Sequence, residues 1–333
     1  MTIFITGGLG YIGSHTATVL IQSGYPVILY DNLLNSDLST LHRLEEITNK
    51  KIKFIEGDVR DTYSLSKAFA NKQITSVIHF AGLKSVKDSL ERPIEYYDNN
   101  VSGTINLLNT MKQYNIKKLV FSSSATVYGN PIYLPCDENH PTNPVNPYGR
   151  SKLIVEEILK DLAISDPNWS ISVLRYFNPV GAHESGLIGE MSKGTPSNLM
   201  PLLLRVASNK LKKLEIFGGD YDTSDGTAER DYIHVMDLAD GHLAALIFLE
   251  KYQGWHAINL GTGKSTTVLE MINNFQKINQ TKITYEIVGR RSGDIAKSLA
   301  AVNKASDILG WRSRRTINSA CESSWRYEQS LMK

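Results

Sequence analysis

The chain is 333 residues long, 41% hydrophobic and 21% charged, the balance of a soluble globular protein large enough for two closely joined domains. Its 36 lysines and arginines against 34 aspartates and glutamates leave a net charge of +2, which excludes nucleic acid or an anionic membrane as the main partner. Two cysteines, Cys136 and Cys321, exclude a disulfide scaffold and a thiolate metal cage and suit a reducing cytoplasm, and no apolar run approaches the roughly 18 residues of a spanning helix.

The opening residues carry no basic leader, as expected of a mature start and not of a signal peptide. A β-branched run over 3–6 predicts a buried strand that leads into Gly7, Gly10 and Gly13, with a helical pattern over 12–23 behind it. These glycines have the spacing of a dinucleotide-binding turn. One permits the tight turn, one lets backbone approach a pyrophosphate, and one lets helix pack on strand, with the helix N-terminus facing the anion. The strand before and the helix after supply the context that separates this from a glycine turn that binds nothing. A second strand, 27–30, ends in Asp31, whose carboxylate accepts from ribose hydroxyls and repels a 2′-phosphate, favouring NAD over NADP.

Further strands over 52–56, 77–80, 119–122 and 171–177 alternate with helical patterns at 65–70, 101–111 and 153–162. This is a doubly wound parallel α/β sheet of Rossmann type, covered on both faces. Asp58 follows the third strand, placed to meet an adenine amino group, and Phe80-Ala81-Gly82-Leu83-Lys84 forms a glycine turn after the fourth. Ligands of open parallel sheets bind at these strand ends. Five prolines, Pro131, Pro135, Pro141, Pro144 and Pro147, mark a long loop, more often functional than filler. Beyond about residue 180 the pattern loosens into loops and smaller elements. Two further buried strands, 233–235 and 257–260, are expected to return to the first sheet.

Tyr148 and Lys152 stand four apart at the start of a helical pattern, on one face. Alone, such a pair is usually a surface contact. A phenol with pKa near 10 is a poor base, and a neighbouring ammonium together with a cationic nicotinamide ring favours the phenolate. Ser122, Ser123 and Ser124 end the fifth strand, so Ser124 is placed to reach the same substrate hydroxyl.

These motifs resemble the extended short-chain dehydrogenases, and within them the UDP-glucose 4-epimerase family, over nearly the whole length. The resemblance rests on Gly-Gly-Leu-Gly-Tyr-Ile-Gly-Ser-His15, Asp31-Asn-Leu-Leu-Asn-Ser36, His79-Phe-Ala-Gly-Leu-Lys84, Tyr96-Tyr-Asp-Asn-Asn100 and Phe121-Ser-Ser-Ser-Ala-Thr-Val-Tyr-Gly129. It continues in Arg175-Tyr-Phe-Asn-Pro-Val-Gly-Ala-His183, Asn198-Leu-Met-Pro201, Arg230-Asp-Tyr-Ile-His-Val-Met-Asp-Leu-Ala-Asp240 and Arg290-Arg-Ser-Gly-Asp294.

The resemblance implies a cytoplasmic homodimeric enzyme that interconverts UDP-glucose and UDP-galactose through a transient 4-keto sugar, with tightly held NAD regenerated each turnover. It makes Tyr148 the base for the sugar 4-hydroxyl, Ser124 its hydrogen-bonding partner and Lys152 the holder of the nicotinamide ribose. It assigns NAD contacts to Gly7, Gly10, Tyr11, Ile12, Gly13, Asp31, Asn32, Asn35, Ser36, Asp58, Val59, Phe80, Ala81, Lys84, Asn99, Ser122 and Phe177, besides Tyr148 and Lys152. It assigns UDP-sugar contacts to Lys84, Ser124, Tyr148, Asn178, Asn198, Leu199, Phe217, Arg230, Arg291 and Asp294. The implied domains are 1–177 with a returning segment 232–262 for NAD, and 178–231 with 263–333, smaller and mixed α/β, for the UDP-sugar.

Related dehydratases and decarboxylases place carboxylates just after the serine or threonine. Here those positions are Ala125 and Thr126, so elimination lacks its general acid. A reductase would need exchangeable NADPH, against which Asp31 argues. A non-catalytic NAD or UDP-sugar sensor would be expected to have lost the tyrosine, the lysine or the uridine contacts. At Ser298 many epimerases of this kind carry a bulky tyrosine. The small side chain predicts room for an N-acetyl group and turnover of UDP-N-acetylglucosamine, against the bland reading of a surface serine.

Other features carry no function. His234, Asp237 and His242 lack a third ligand at metal spacing, so no metal is expected. His79 reads as a satisfied core histidine. Gly261-Thr-Gly-Lys-Ser265 is not a phosphate loop, because the required glycine at 258 is Ile258. The basic runs at 210–213 and 312–315 read as solvated surface, and Cys136 lacks an activating base. Apolar stripes at Val101, Ile105, Leu108 and Met111, and at Leu153, Ile154, Ile158 and Leu162, cover the sheet or pair across a dimer.

Overall fold

Alternation of buried β-branched runs with amphipathic helices produces the expected crossovers. The computed structural model describes residues 2–70, 73–191, 196, 198–291 and 294–332. Met1 of the opening stretch and Ser292 and Gly293 of the 290–294 motif lie outside the described residues. The first half runs β1 (Thr2–Thr6), α1 (Tyr11–Gln22), β2 (Val27–Asp31), α2 (Ser39–Thr48), β3 (Lys53–Glu56), α3 (Thr62–Phe69) and β4 (Ile74–His79). Two short helices, α4 (Val86–Glu91) and α5 (Pro93–Tyr97), and a π-type turn over 98–102 lead into α6 (Gly103–Gln113). Then come β5 (Lys118–Ser124), α7 (Pro147–Ser165) and β6 (Ser170–Tyr176).

The second half holds β7 (Asn178–Val180), α8 (Leu199–Ala207), β8 (Leu214–Phe217), β9 (Glu229–His234), α9 (Val235–Phe248) and β10 (Gly254–Leu260). It closes with β11 (Ser265–Thr267), α10 (Val268–Asn279), β12 (Tyr285–Val288), β13 (Lys297–Ser298), α11 (Asn303–Leu309) and α12 (Ile317–Ser330).

Seven parallel strands form the main sheet in the order β10-β6-β5-β4-β1-β2-β3. The order reverses between β1 and β4, which opens a crevice beyond their C-terminal ends. Period-two alternation sorts β1 between the two faces. Ile3 and Ile5 pack with residues of α1, α2, α9 and α11, while Phe4 packs with residues of α3, α6 and α7. Each fully buried Leu or Ile here contributes about 1.5–3 kcal/mol of transfer free energy.

One strand expectation is corrected. Residues 257–260 lie in β10, at the edge of the main sheet, but 233–234 end β9, which pairs with β7, β11 and β13 in a separate four-stranded sheet. Both runs are buried, so apolar content alone did not separate the two sheets. A third core gathers α8, α10 and α12 against β8. Among the described residues no helix is long and apolar enough to cross a membrane.

Candidate active site

The crevice is floored by the glycine turn between β1 and α1. Gly7 adopts φ +66°, and a Cβ on it would stand 2.7 Å from Ala81 N, at the start of the turn after β4. A Cβ on Gly13 would stand 2.2 Å from Gly7 O. Side chains at either position would fill the cradle. The Gly10 cap makes no side-chain hydrogen bond to α1, and the first turn holds no acid, so its leading N–H groups and partial positive charge face the crevice. This geometry fits a dinucleotide pyrophosphate. The Ile12 side chain packs into the core beside Val235 and Met236, which leaves only its backbone for that role.

Asp31 terminates β2 and is 7% exposed. It accepts from Leu9 N at 3.0 Å, Leu33 N at 3.0 Å and Ser36 Oγ at 2.7 Å, so Ser36 fixes the carboxylate while Asn35 and Ser36 line one cavity with Gly10 and Tyr11. Asn32 Nδ2 donates to Asp58 Oδ2 at 2.9 Å, joining two residues predicted to contact NAD. Asp58 also binds Arg60, with Nη2 2.8 Å away, and that guanidinium holds its carboxyl well below the usual carboxylate range. The adjoining Val59 side chain is buried against the helical face, and only its backbone is available.

The predicted catalytic trio converges from two elements. Ser124 ends β5, and its Oγ accepts from Thr126 N at 3.2 Å and Thr126 Oγ1 at 3.0 Å. With both lone pairs engaged, the serine is left with a proton to donate. Tyr148 and Lys152 lie in the first turns of α7, which Asn146 caps by accepting from Gly149 N at 2.8 Å. Lys152 Nζ donates to Ser122 O at 2.8 Å and stands 6.0 Å from the Tyr148 ring centre. Burial pushes the Tyr148 phenol up, and the Ser124 hydroxyl acts against it. Burial lowers Lys152 to about 8, while Glu156, one turn on, acts to raise it. The net shift of Tyr148 is upward, opposite to the lowering expected beside Lys152.

The remaining predicted residues fall into small groups. Lys84 Nζ sits 5.9 Å from the Tyr11 ring centre. Phe80 packs against His242 with ring centres 4.8 Å apart and planes tilted by 50°. Asn99 is buried in the π-type turn, and Phe177 is buried among Val127, Tyr128, Cys136 and Ala300. On the other side, Asn178 is exposed at the head of β7, and Asn198 precedes α8, whose first residue is Leu199. Arg291 lies over the Phe217 ring at 5.2 Å and pairs with Asp294 at 2.9 Å. Arg230 donates to Ala296 O at 3.3 Å and is in register with Ser298, so the small residue stands beside an arginine predicted to bind UDP.

Sequence reading missed several supporting residues. Asn100 Oδ1 accepts from Leu83 N at 2.8 Å and its amide donates to Ser151 Oγ at 3.0 Å, clamping the Lys84 turn to α7. Asp231 accepts from Thr262 N at 2.8 Å and Gly263 N at 3.0 Å, so the chain's own carboxylate occupies the amides of the 261–265 loop. His79, by contrast, is the satisfied core histidine the sequence predicts, bonded to Thr6 at 2.6 Å and Thr104 at 2.8 Å. Asp237 pairs with Arg315 at 2.6 Å, and His234 accepts from Met236 N at 3.1 Å.

The profile of the family described as GDP-mannose 4,6 dehydratase matches residues 4–324. A UDP-glucose 4-epimerase of Bacillus subtilis (strain 168) is 49% identical over 330 residues, covering 99% of this chain and 97% of its own. The crystal structure of a UDP-glucose 4-epimerase from Stenotrophomonas maltophila, with bound NAD and formylated UDP-arabinopyranose, superposes with a TM-score of 0.98 at 45% identity, covering 100% and 99% of the two chains. That of Bifidobacterium longum, in complex with NAD+ and UDP, superposes at 0.96 with 50% identity, covering 99% and 98%. The chain belongs to the UDP-glucose 4-epimerase family, within the wider family whose profile it matches.

Proposed function

We propose that this protein is an NAD-dependent 4-epimerase that interconverts UDP-glucose and UDP-galactose. The observation that carries the reading is the placement of Tyr148 and Lys152 on α7 beside the end of β5 that presents Ser124, above the glycine cradle. Gly7, Gly10, Gly13, Asp31, Ser36, Asp58, Lys84 and Lys152 are the residues to hold NAD, which when bound supplies the acceptor and donor of the C4 hydride.

Tyr148 Oη takes the 4-hydroxyl proton and later returns it. Ser124 donates to the oxygen that bears the developing charge, and Lys152 holds its ammonium where it favours the phenolate. Arg230 and Arg291 match diphosphate oxygens with planar donors, so the nucleotide is gripped while the sugar stays free to turn. Thr126, where a dehydratase of this scaffold has its acid, is a neutral donor to Ser124.

The same reading extends to UDP-N-acetylglucosamine, because the residue in register with Arg230 is the small Ser298. It divides the chain into 1–177 with 232–262 for NAD, and 178–231 with 263–333 for the UDP-sugar. It places the protein in the cytoplasm as a homodimer through α6 and α7, where Ile105 and Ile154 are each 40% exposed. Incubation of purified protein with UDP-galactose and, separately, UDP-N-acetylgalactosamine, without added NAD, tests the reading. Chromatographic appearance of both 4-epimers is expected. No conversion of either, with NAD supplied, overturns it in favour of a sensor, and conversion of the first alone removes the N-acetyl extension.

A further inference from the structure

Glu190 lies between Lys84, assigned to both the NAD and the UDP-sugar contacts, and Asn198, assigned to the UDP-sugar alone. Its Oε1 accepts from Lys84 Nζ at 2.7 Å and from Asn198 Nδ2 at 3.0 Å. Its side chain is 9% exposed, against 59% for Lys84. Enclosing a carboxylate costs free energy unless it is paired and hydrogen-bonded, as Glu190 is here. Lys84 closes the turn after β4, clamped from behind by Asn100 through Leu83. Asn198 stands at the N-terminus of α8, where its side chain makes no capping bond and is given to Glu190 instead. Tyr11 completes the group. Its ring faces the Lys84 ammonium, its hydroxyl donates to Gly181 O at 2.6 Å, and the Glu190 charge adds to burial in raising its pKa.

We infer that Glu190 is a positioning residue that locks Lys84, where the cofactor and UDP-sugar contacts meet, to Asn198, on the UDP-sugar side, and so sets the two half-sites as one. This rests on the assignments of Lys84 and Asn198 made above. A lysine has many rotamers to lose, and fixing its ammonium in advance removes part of the ordering cost of holding an anion. The Lys84 charge also neutralises Glu190, so the carboxylate does not repel a neighbouring diphosphate. Because one group orients donors on both sides, its loss weakens both ligands together.

Glu190→Gln keeps the shape and an acceptor for Asn198 but removes the charge that holds Lys84. In the holoenzyme the substitution is expected to raise the calorimetric Kd for UDP and the KM for UDP-glucose about five- to tenfold, with a smaller fall in kcat. It is also expected to speed loss of NAD on ultrafiltration, and Glu190→Asp, which keeps the charge, recovers part of the affinity. Lys84→Met and Asn198→Ala are measured in parallel. If those two weaken NAD retention and UDP affinity while Glu190→Gln matches wild type, the site assignment stands and the positioning role is overturned. If neither of the two changes NAD retention or UDP affinity, the assignment itself fails. A kcat and KM that worsen by the same factor, with a lowered melting temperature that Glu190→Asp shares, assigns Glu190 a structural role and also overturns the inference.

Discussion

Lys152 Nζ donates to the main-chain carbonyl of Ser122 at 2.8 Å, which pins the first turns of α7 to the strand end that presents Ser124. The ammonium is almost fully buried, and its pKa of about 8 lies below the usual 10.5. Between those values the unfolded chain binds a proton that the folded chain has released, so stability rises with pH across that window. Below pH 8 both states are protonated and the full desolvation penalty is present. Lys152→Met is therefore expected to stabilise the cofactor-stripped protein at pH 7 by about 2–3 kcal/mol in urea unfolding, with the difference shrinking toward pH 10.5, while activity is lost.

Thr126 fills both lone pairs of Ser124 Oγ, which leaves the serine proton for its proposed donor role. Ser124→Ala is expected to lower kcat about 100-fold while UDP affinity stays near wild type. Thr126→Val leaves the backbone bond and removes the hydroxyl one, so steady-state kinetics should show a loss of about three- to tenfold.

Gly13 has no room for a methyl group, since a Cβ would stand 2.2 Å from Gly7 O, a backbone atom that side-chain motion cannot move aside. Gly13→Ala is expected to purify with little or no NAD and to lose about 1–3 kcal/mol of stability. Absorbance of the released cofactor after acid denaturation, compared with wild type, measures the first effect.

Ser298 lies in register with Arg230 on β9, at the wall of the predicted sugar pocket. Ser298→Tyr is expected to abolish turnover of UDP-N-acetylgalactosamine and leave UDP-galactose turnover within about threefold, the discrimination of a filled pocket. Equal losses on both substrates would show that residue 298 does not contact the sugar.

Much of this was legible because it is local. The turn at Gly7, Gly10 and Gly13 needs only a strand before and a helix after, and the spacing of Tyr148 and Lys152 defines one helix face. The helix α2 was not predicted. It opens at Ser39 after a polar loop, and its short stripe of Leu41, Leu44 and Ile47 packs on the core with only Leu44 of the three fully buried. The sheet assignment of β9 was misread because a buried strand gives no sign of which sheet receives it. Glu190 was illegible for a different reason. Its partner Lys84 is 106 residues away, and nothing around either residue records the contact. The Asp231 carboxylate that fills the 261–265 loop likewise came from 31 residues upstream.

The central claim is that hydride leaves C4 and returns to the same carbon without exchange from the protein. UDP-galactose deuterated at C4, incubated with the purified protein without added NAD and followed by proton NMR, tests this most directly. Full retention of deuterium at C4 of the UDP-glucose formed is the predicted result. Loss of the label to solvent, or no conversion even when NAD is supplied, contradicts the account.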